Sequence, residues 1–460
     1  MPRFLLRPRR RPVVLASVLA ALAVLAVTPS AAAASPAQDP ASDPADVELA
    51  APVDRALVVR VAVARNRTIA AAMQRAHATE LAGRAEGALP PPEAMVQVWQ
   101  VPVSRPYALD SQMIMVGVSQ SFPAPGSRGA REAARTSDAR AEEAMAKDRG
   151  RLVARQAAHA FADYVEAAAR HAVHREHRDV AARVMAMAEA RQAGGGALTD
   201  VTQADVEQAR VEADVVTDAT LEESARGRIN VLLVRAPGLP LGAPKVGDPE
   251  VAAWTLEELL ARARDARPEL RAASAAREAR RLDERAAARE ATWPAFSIAA
   301  LYFAPTTSIP EHGYGVNASM SLPWLWGAAG ARQDAQRAQL AAATTAEQGA
   351  HVDVDAEVVA ASAAATSAAL RLGVLAGRAL PATRRGFDAT WSAYASGQRD
   401  VLTLLAAERA VVDVREQIVT TRAALDHALA DLDAAVGLDV PRAPLAPTAG
   451  TPGAEHAHAH

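Results

Sequence analysis

The chain has no cysteine among its 460 residues. That excludes a disulfide scaffold and any thiolate metal site, and it is compatible with an oxidising compartment. It also leaves no cysteine to carry an acyl anchor behind an export signal. Aromatics are scarce, 4% of the chain against 50% hydrophobic residues, and alanine dominates the apolar share. Alanine is the best helix former and lets helices approach closely, so long helices, shallow interfaces and little sheet are expected. Past the N-terminal region no segment runs to about eighteen consecutive apolar residues, so no later helix is expected to cross a bilayer. Nucleophile motifs, phosphate-binding glycine loops and paired carboxylates suited to a pocket are also missing, which speaks against an enzyme and gives no sign of a cofactor.

What is present begins with an export signal. Arg3, Arg7, Arg9, Arg10 and Arg11 precede an apolar stretch from Val13 to Val27, and Ala31 to Ala34 offers small-residue cleavage sites. Residues 1–34 are read as a signal peptide and 35–52 as a flexible segment. Removing the signal takes away five arginines and no acids, moving the net charge from −3 to −8. An acidic mature chain argues against a nucleic-acid partner.

The rest is a duplication with a spacing of about 200 residues. Asp54 and Thr255 each precede a helical pattern as N-caps, Thr255 forming a capping box with Glu258. Asn66 then aligns with Arg267, Phe122-Pro123 with Leu322-Pro323, and Gly129 to Arg131 with Gly330 to Arg332. Gly196 aligns with Gly397, Asp200-Val201 with Asp400-Val401, and Gly238 with Gly437. The halves span 53–244 and 254–441, with a histidine-bearing tail, 442–460, expected to be disordered. Each half predicts a helix (about 56–87; about 256–291), two strands, a very long helix (about 129–192; about 331–395) and a last helix (about 199–234; about 400–436). A helix of that length spans roughly 95 Å, which suits a rod or tunnel rather than a globule. Pro381 predicts a kink or break in the second long helix. Val411, Val414, Ile418, Thr421, Leu425, Ala428, Leu432 and Ala435 keep a 3-4 spacing, the mark of a coiled-coil seam.

The strands are expected at about 95–103, 113–122, 296–303 and 314–322. In the last, Val316, Ala318, Met320 and Leu322 take one face and Asn317, Ser319 and Ser321 the other. Val116, Val118 and Phe122 stand against Gly117, Ser119 and Ser121 in its mate. Strands with one apolar and one polar face fit a transmembrane barrel, with lipid outside and water at Asn317, Ser319 and Ser321. Ten of the seventeen aromatics, Tyr107 among them, lie in or beside these strands, as an interfacial girdle would place them. Four strands cannot close a barrel, and an open edge is not tolerated in lipid, so subunits must share one.

The duplicated plan, the junctions Ser119 to Gly126 and Ser321 to Trp324, and the tip motif Tyr394 to Leu402 resemble the TolC family of outer-membrane efflux proteins. The resemblance implies a homotrimer in the outer membrane of a Gram-negative bacterium, with a shared 12-stranded barrel and a helical periplasmic tunnel. It implies a periplasmic adaptor and an inner-membrane pump of RND type as partners. It implies a gate at the helix tips: Tyr394, Gly397, Arg399 and Asp400 from the second half, Gly196, Asp200 and Asp205 from the first. The acids of the better-known members fall here near Thr403 and Ala406, leaving Asp200, Asp205 and Asp400 to supply a cation-attracting ring; helix capping is the competing role for Asp200 and Asp400. Met113 and Met115 with the following Ser-Gln-Ser-Phe-Pro resemble the heavy-metal branch. His171, His174 and His177, and the terminal His456, His458 and His460, are weak metal candidates. A periplasmic adaptor or a structural envelope coiled coil are the alternatives; neither needs two matched halves with a strand pair in each.

Overall fold

The computed structural model describes residues 44–99, 103, 113–305 and 310–445. The signal peptide, Tyr107 and the terminal histidines lie outside the described residues. The first half runs α1 (Pro44–Ala50), α2 (Arg55–Arg65), α3 (Arg67–Gly87), β1 (Glu93–Trp99), β2 (Met113–Phe122), α4 (Ser127–Ala193) and α5 (Leu198–Leu232). The second runs β3 (Glu250–Ala252), α6 (Leu256–Ala266), α7 (Pro268–Thr292), β4 (Phe296–Phe303), β5 (Gly313–Met320), α8 (Ala328–Val374), α9 (Leu380–Ala395), α10 (Val401–Val436) and β6 (Arg442–Pro444).

Both expected caps form. Asp54 accepts from the Leu57 amide at 2.8 Å, and Thr255 and Glu258 make the reciprocal box. The leading helix of each half is broken where one continuous helix was expected. Asn66 is extended and caps α3 by accepting from Thr68 and Ile69. Pro268 at the start of α7 pushes Arg267 out of helical conformation. Arg267 is fully buried, and its guanidinium donates to Ala435 O and Glu357, both at 2.8 Å, and to Glu269 at 2.6 Å. It thereby satisfies a terminal carbonyl of α10 that the helix itself leaves free.

Two cores repeat the duplication. Val58, Ala62, Val153 and Ala157 pack in one; Leu259, Ala263, Val354 and Val358, each 201 residues on, pack in the other. Each half also ties its own ends together. Val53 bridges Pro244, and β3 pairs antiparallel with β6.

Two segments differ from expectation. Within 35–52, residues 44–50 are helical, because Leu49 is buried in the first core and Asp46 pairs with Arg65 and Arg235. Within 442–460, Arg442–Pro444 is a strand, held by its pairing and by Arg442 on Asp433 at 2.6 Å.

The break expected at Pro381 is instead a wide π-turn, Leu375–Ala379, with helical backbone on both sides. The Leu380 amide reaches back to Leu375 O. A proline cannot donate into the ladder, and the turn one residue wider accommodates that. The continuous helical stretch Leu325–Ala395, which contains α8, is the one described helix long and apolar enough by composition to span a bilayer. The hydropathy comes from alanine and valine in a helix packed on α7 and α10. On α10, Thr421, Leu425, Ala428, Leu432 and Ala435 of the predicted seam are buried, and Val411, Val414 and Ile418 are half-buried.

The two strand pairs join into one antiparallel sheet of order β1-β2-β4-β5. Val116 faces Tyr302, and Ala300 faces Val316 in register. β1 and β5 are its edges.

Candidate functional site: an unclosed wall and a latched tip

The register sorts the sheet into two faces. Val96, Val116, Val118, Ile298, Ala300, Val316 and Met320 share one, with Val118 55% and Val316 79% exposed. An apolar sheet face of this extent is costly in water and stable against lipid. The opposite face carries Ser119, Ser121, Ser297, Asn317 and Ser319 toward the helices and Met95, Met113, Met115, Leu301 and Phe303 toward the far end. Ser297 and Ser319 are hydrogen-bonded at 3.1 Å. Of the expected water-facing residues, Asn317 and Ser319 lie on this face. Ser321 falls just past β5, where its hydroxyl accepts from the Ala295 amide at 2.9 Å. Gly117 leaves room on this face, since a Cβ there would stand 2.5 Å from Leu301. Trp293, Trp324 and Trp326 are exposed at the helix end of the sheet.

At the other end of the long helices, two turns face each other. Tyr394 ends α9 fully buried, packed with Val184, Ala188, Ala204, Val401, Leu404 and Leu405. Arg191 of α4 lays its guanidinium 4.5 Å from the ring centre and donates to Tyr394 O at 3.3 Å and Arg399 O at 3.5 Å. Burial, and then Asp200, raises the Tyr394 phenol above its ordinary range. Arg399 contributes a backbone carbonyl to this joint, and Arg191, which sequence reasoning did not single out, supplies the cation. It lies in the first half, so no spacing around Tyr394 could have pointed to it.

Gly397 adopts φ 78°, a left-handed turn suited to glycine. Its conformational counterpart in the first half is Gly195 at φ 94°; Gly196 follows it and bonds back to Arg191 O at 2.9 Å. Asp400 caps α10, accepting from the Thr403 amide and hydroxyl, which holds its carboxyl below the usual range. Asp200 is instead a half-buried first-turn acid of α5, and Asp205 is exposed one turn on.

The three histidines of α4 each meet carboxylates. His171 lies 2.8 Å from Glu222, His174 2.5 Å from Asp218, and His177 3.4 Å from Glu408. Among the described residues no group of three or more His, Cys, Asp or Glu has the geometry to hold a metal ion.

Residues 259–438 match the family described as outer membrane efflux protein. A comparison with curated protein sequences finds no match. Among solved structures, the fold is similar to that of CusC, with TM-score 0.72 and 17% identity over 84% of this chain and 92% of that one. It is similar to the outer membrane protein VceC of Vibrio cholerae, with TM-score 0.70 and 17% identity over 83% and 96%. The Campylobacter jejuni outer membrane channel CmeC gives TM-score 0.70 and 13% identity over 84% and 86%.

Proposed function

We propose that this chain, whose residues 259–438 match the outer membrane efflux protein family, is an efflux channel of the outer membrane and works as a homotrimer that completes one barrel from three copies of its sheet. The observation that carries this is the four-stranded sheet with an apolar outer face and two edges, β1 and β5, that pair with no other strand among the described residues. In lipid such edges must pair, and pairing β5 of one copy with β1 of the next closes a ring. Three copies give 12 strands with a watered interior. The exposed Val352, Val359, Leu370 and Val374 of α8 face a neighbouring copy in the tunnel below. The tips dock on a periplasmic adaptor joined to an inner-membrane pump, of RND type.

The gate is the Arg191–Tyr394 joint. α4 belongs to one hairpin and α9 to the other, so this contact holds the hairpins together. The acids Asp200, Asp205 and Asp400 line the approach and concentrate cations. Heavy-metal cations are the substrate class. Met95, Met113 and Met115 on the watered face support that reading, because thioethers suit soft metals.

Purified channel in planar bilayers tests the gate. Arg191→Ala should raise single-channel conductance several-fold and Arg399→Ala should change it little; the reverse order would refute the assignment. Cross-linking in detergent should give a trimer, and a monomer that stays soluble without detergent would refute the shared barrel.

A further inference from the structure

Above the tip, α4, α5 and α10 enclose a layer of titratable side chains that the gate does not use. His174 and His177 come from α4, Glu207 and Asp218 from α5, and Glu408 from α10; all five are buried. α4 and α5 form one hairpin and α10 belongs to the other. The layer therefore lies in the joint that must loosen when the hairpins part.

Most of it is satisfied. His174 sits between Asp218 at 2.5 Å and Glu416 at 3.1 Å. Glu207 is gripped by Arg409 of α10 through two nitrogens, one at 3.1 Å, which holds its carboxyl low. One pair is left. His177 Nε2 lies 3.4 Å from Glu408 Oε1, and among the described residues neither ring nitrogen of His177 nor either oxygen of Glu408 has a hydrogen-bond partner. The other charges facing the pair are Asp214 of α5, Arg183 of α4 and Arg409 of α10; Arg210 acts on Glu207 and Asp413 on Arg409 behind them. Burial, and then the Glu207 carboxylate, push Glu408 up to about 8, and burial lowers His177. At neutral pH both are uncharged, the only state in which a dry pair without other partners packs at low cost.

We propose that His177 and Glu408 form a proton-operated latch between the two hairpins: uncharged they let α10 pack closed on α4 and α5, and ionisation of Glu408 beside Glu207 drives the hairpins apart. The latch rests on the channel reading above.

In the open state, a hydrated glutamate ionises near 4.5, while the closed layer keeps Glu408 protonated to about 8. The closed state thus holds one extra proton between those limits and is progressively disfavoured as pH rises through them. His177 works the other way below its ordinary 6.5, where the open state takes up a proton that the buried ring resists. The two effects offset each other there, so net loosening falls between pH 6.5 and 8. One proton gives about tenfold per pH unit, hence about 30-fold over the window.

Amide exchange of residues 401–416 in the assembled channel, taken as the ratio of wild type to the double variant His177→Leu, Glu408→Gln at each pH, reads this directly, because neither group titrates in that reference. The ratio cancels the intrinsic pH dependence of exchange. Protection should fall about 30-fold across the window, with conductance rising in step in wild type and staying level in Glu408→Gln. Should the double variant not fold, His177→Leu with Glu408→Leu serves as the reference. His177→Leu should extend the fall below pH 6.5, because nothing then offsets it. A flat ratio in wild type, or an unchanged window in His177→Leu, overturns the latch. A falling ratio with no conductance at any pH keeps the latch and overturns the channel reading.

Discussion

Val234 closes α5 at φ 58°, a left-handed conformation that a β-branched side chain adopts only under strain. The residue that does the same at the end of α10 is Gly437, at φ 82°. The pairing of Gly238 with Gly437 read from the sequence is therefore displaced by conformation: the first half carries a valine where the second carries a glycine. Val234 is half exposed, so little burial is lost on removing it. Val234→Gly should stabilise the chain by about 1 kcal/mol, seen as a higher midpoint in thermal unfolding of the detergent-solubilised channel; an unchanged or lower midpoint would mean that the turn is unstrained. At this scale local chemistry was legible and distant contact was not. Asp54, Thr255 with Glu258, and Asp400 were readable because a cap bonds three residues ahead. Arg191 and Glu408 act across partners about 200 residues away, and no local pattern marks them.

The elements show where periodicity stops being informative. The boundaries of β2 fell where alternation placed them, since a half-buried strand carries its face in every second residue. The break at Asn66 was missed because both flanks are alanine-rich helix and a single extended residue hardly disturbs that pattern; at Arg267 the following Pro268 was a visible breaker that the helical periodicity on both sides outweighed. The π-turn at Leu375–Ala379 was legible only as trouble at Pro381. A π-turn is an α-helix with one residue too many, which yields an unusual expectation. Deleting Ala376 together with Pro381→Ala should leave a regular helix with Tyr394 still in register. Deleting Ala365, in the regular part of α8 and buried against α10, should rotate everything downstream and disrupt the buried Tyr394 cluster. Yield of folded oligomer in the membrane fraction compares the two. Equal loss from both would show that the extra residue is required in its own right.

For the whole molecule, the sequence gives an incomplete wall without a copy number. Alternation in four strands states that lipid lies on one side and water on the other. It also states that the sheet ends in two edges, and edges in lipid require partners. Nothing in one chain's alternation counts those partners, so three copies enter through family resemblance. The faces themselves can be tested. Val118 sits mid-strand on the apolar face between Ala94 and Ala300, whereas Asn317 lies on the opposite face beside Ala299. An arginine on the lipid face near the bilayer midplane costs about 2–4 kcal/mol, and one facing the lumen costs little. Each subunit of a shared barrel bears that cost, and a folding defect in one wall denies its neighbours an edge to pair with. Val118→Arg should therefore abolish the oligomer in membrane extracts, while Asn317→Arg should assemble normally and alter only ion selectivity. If the two variants behaved alike, the sheet would be packed in water on both faces, and neither barrel nor channel would survive.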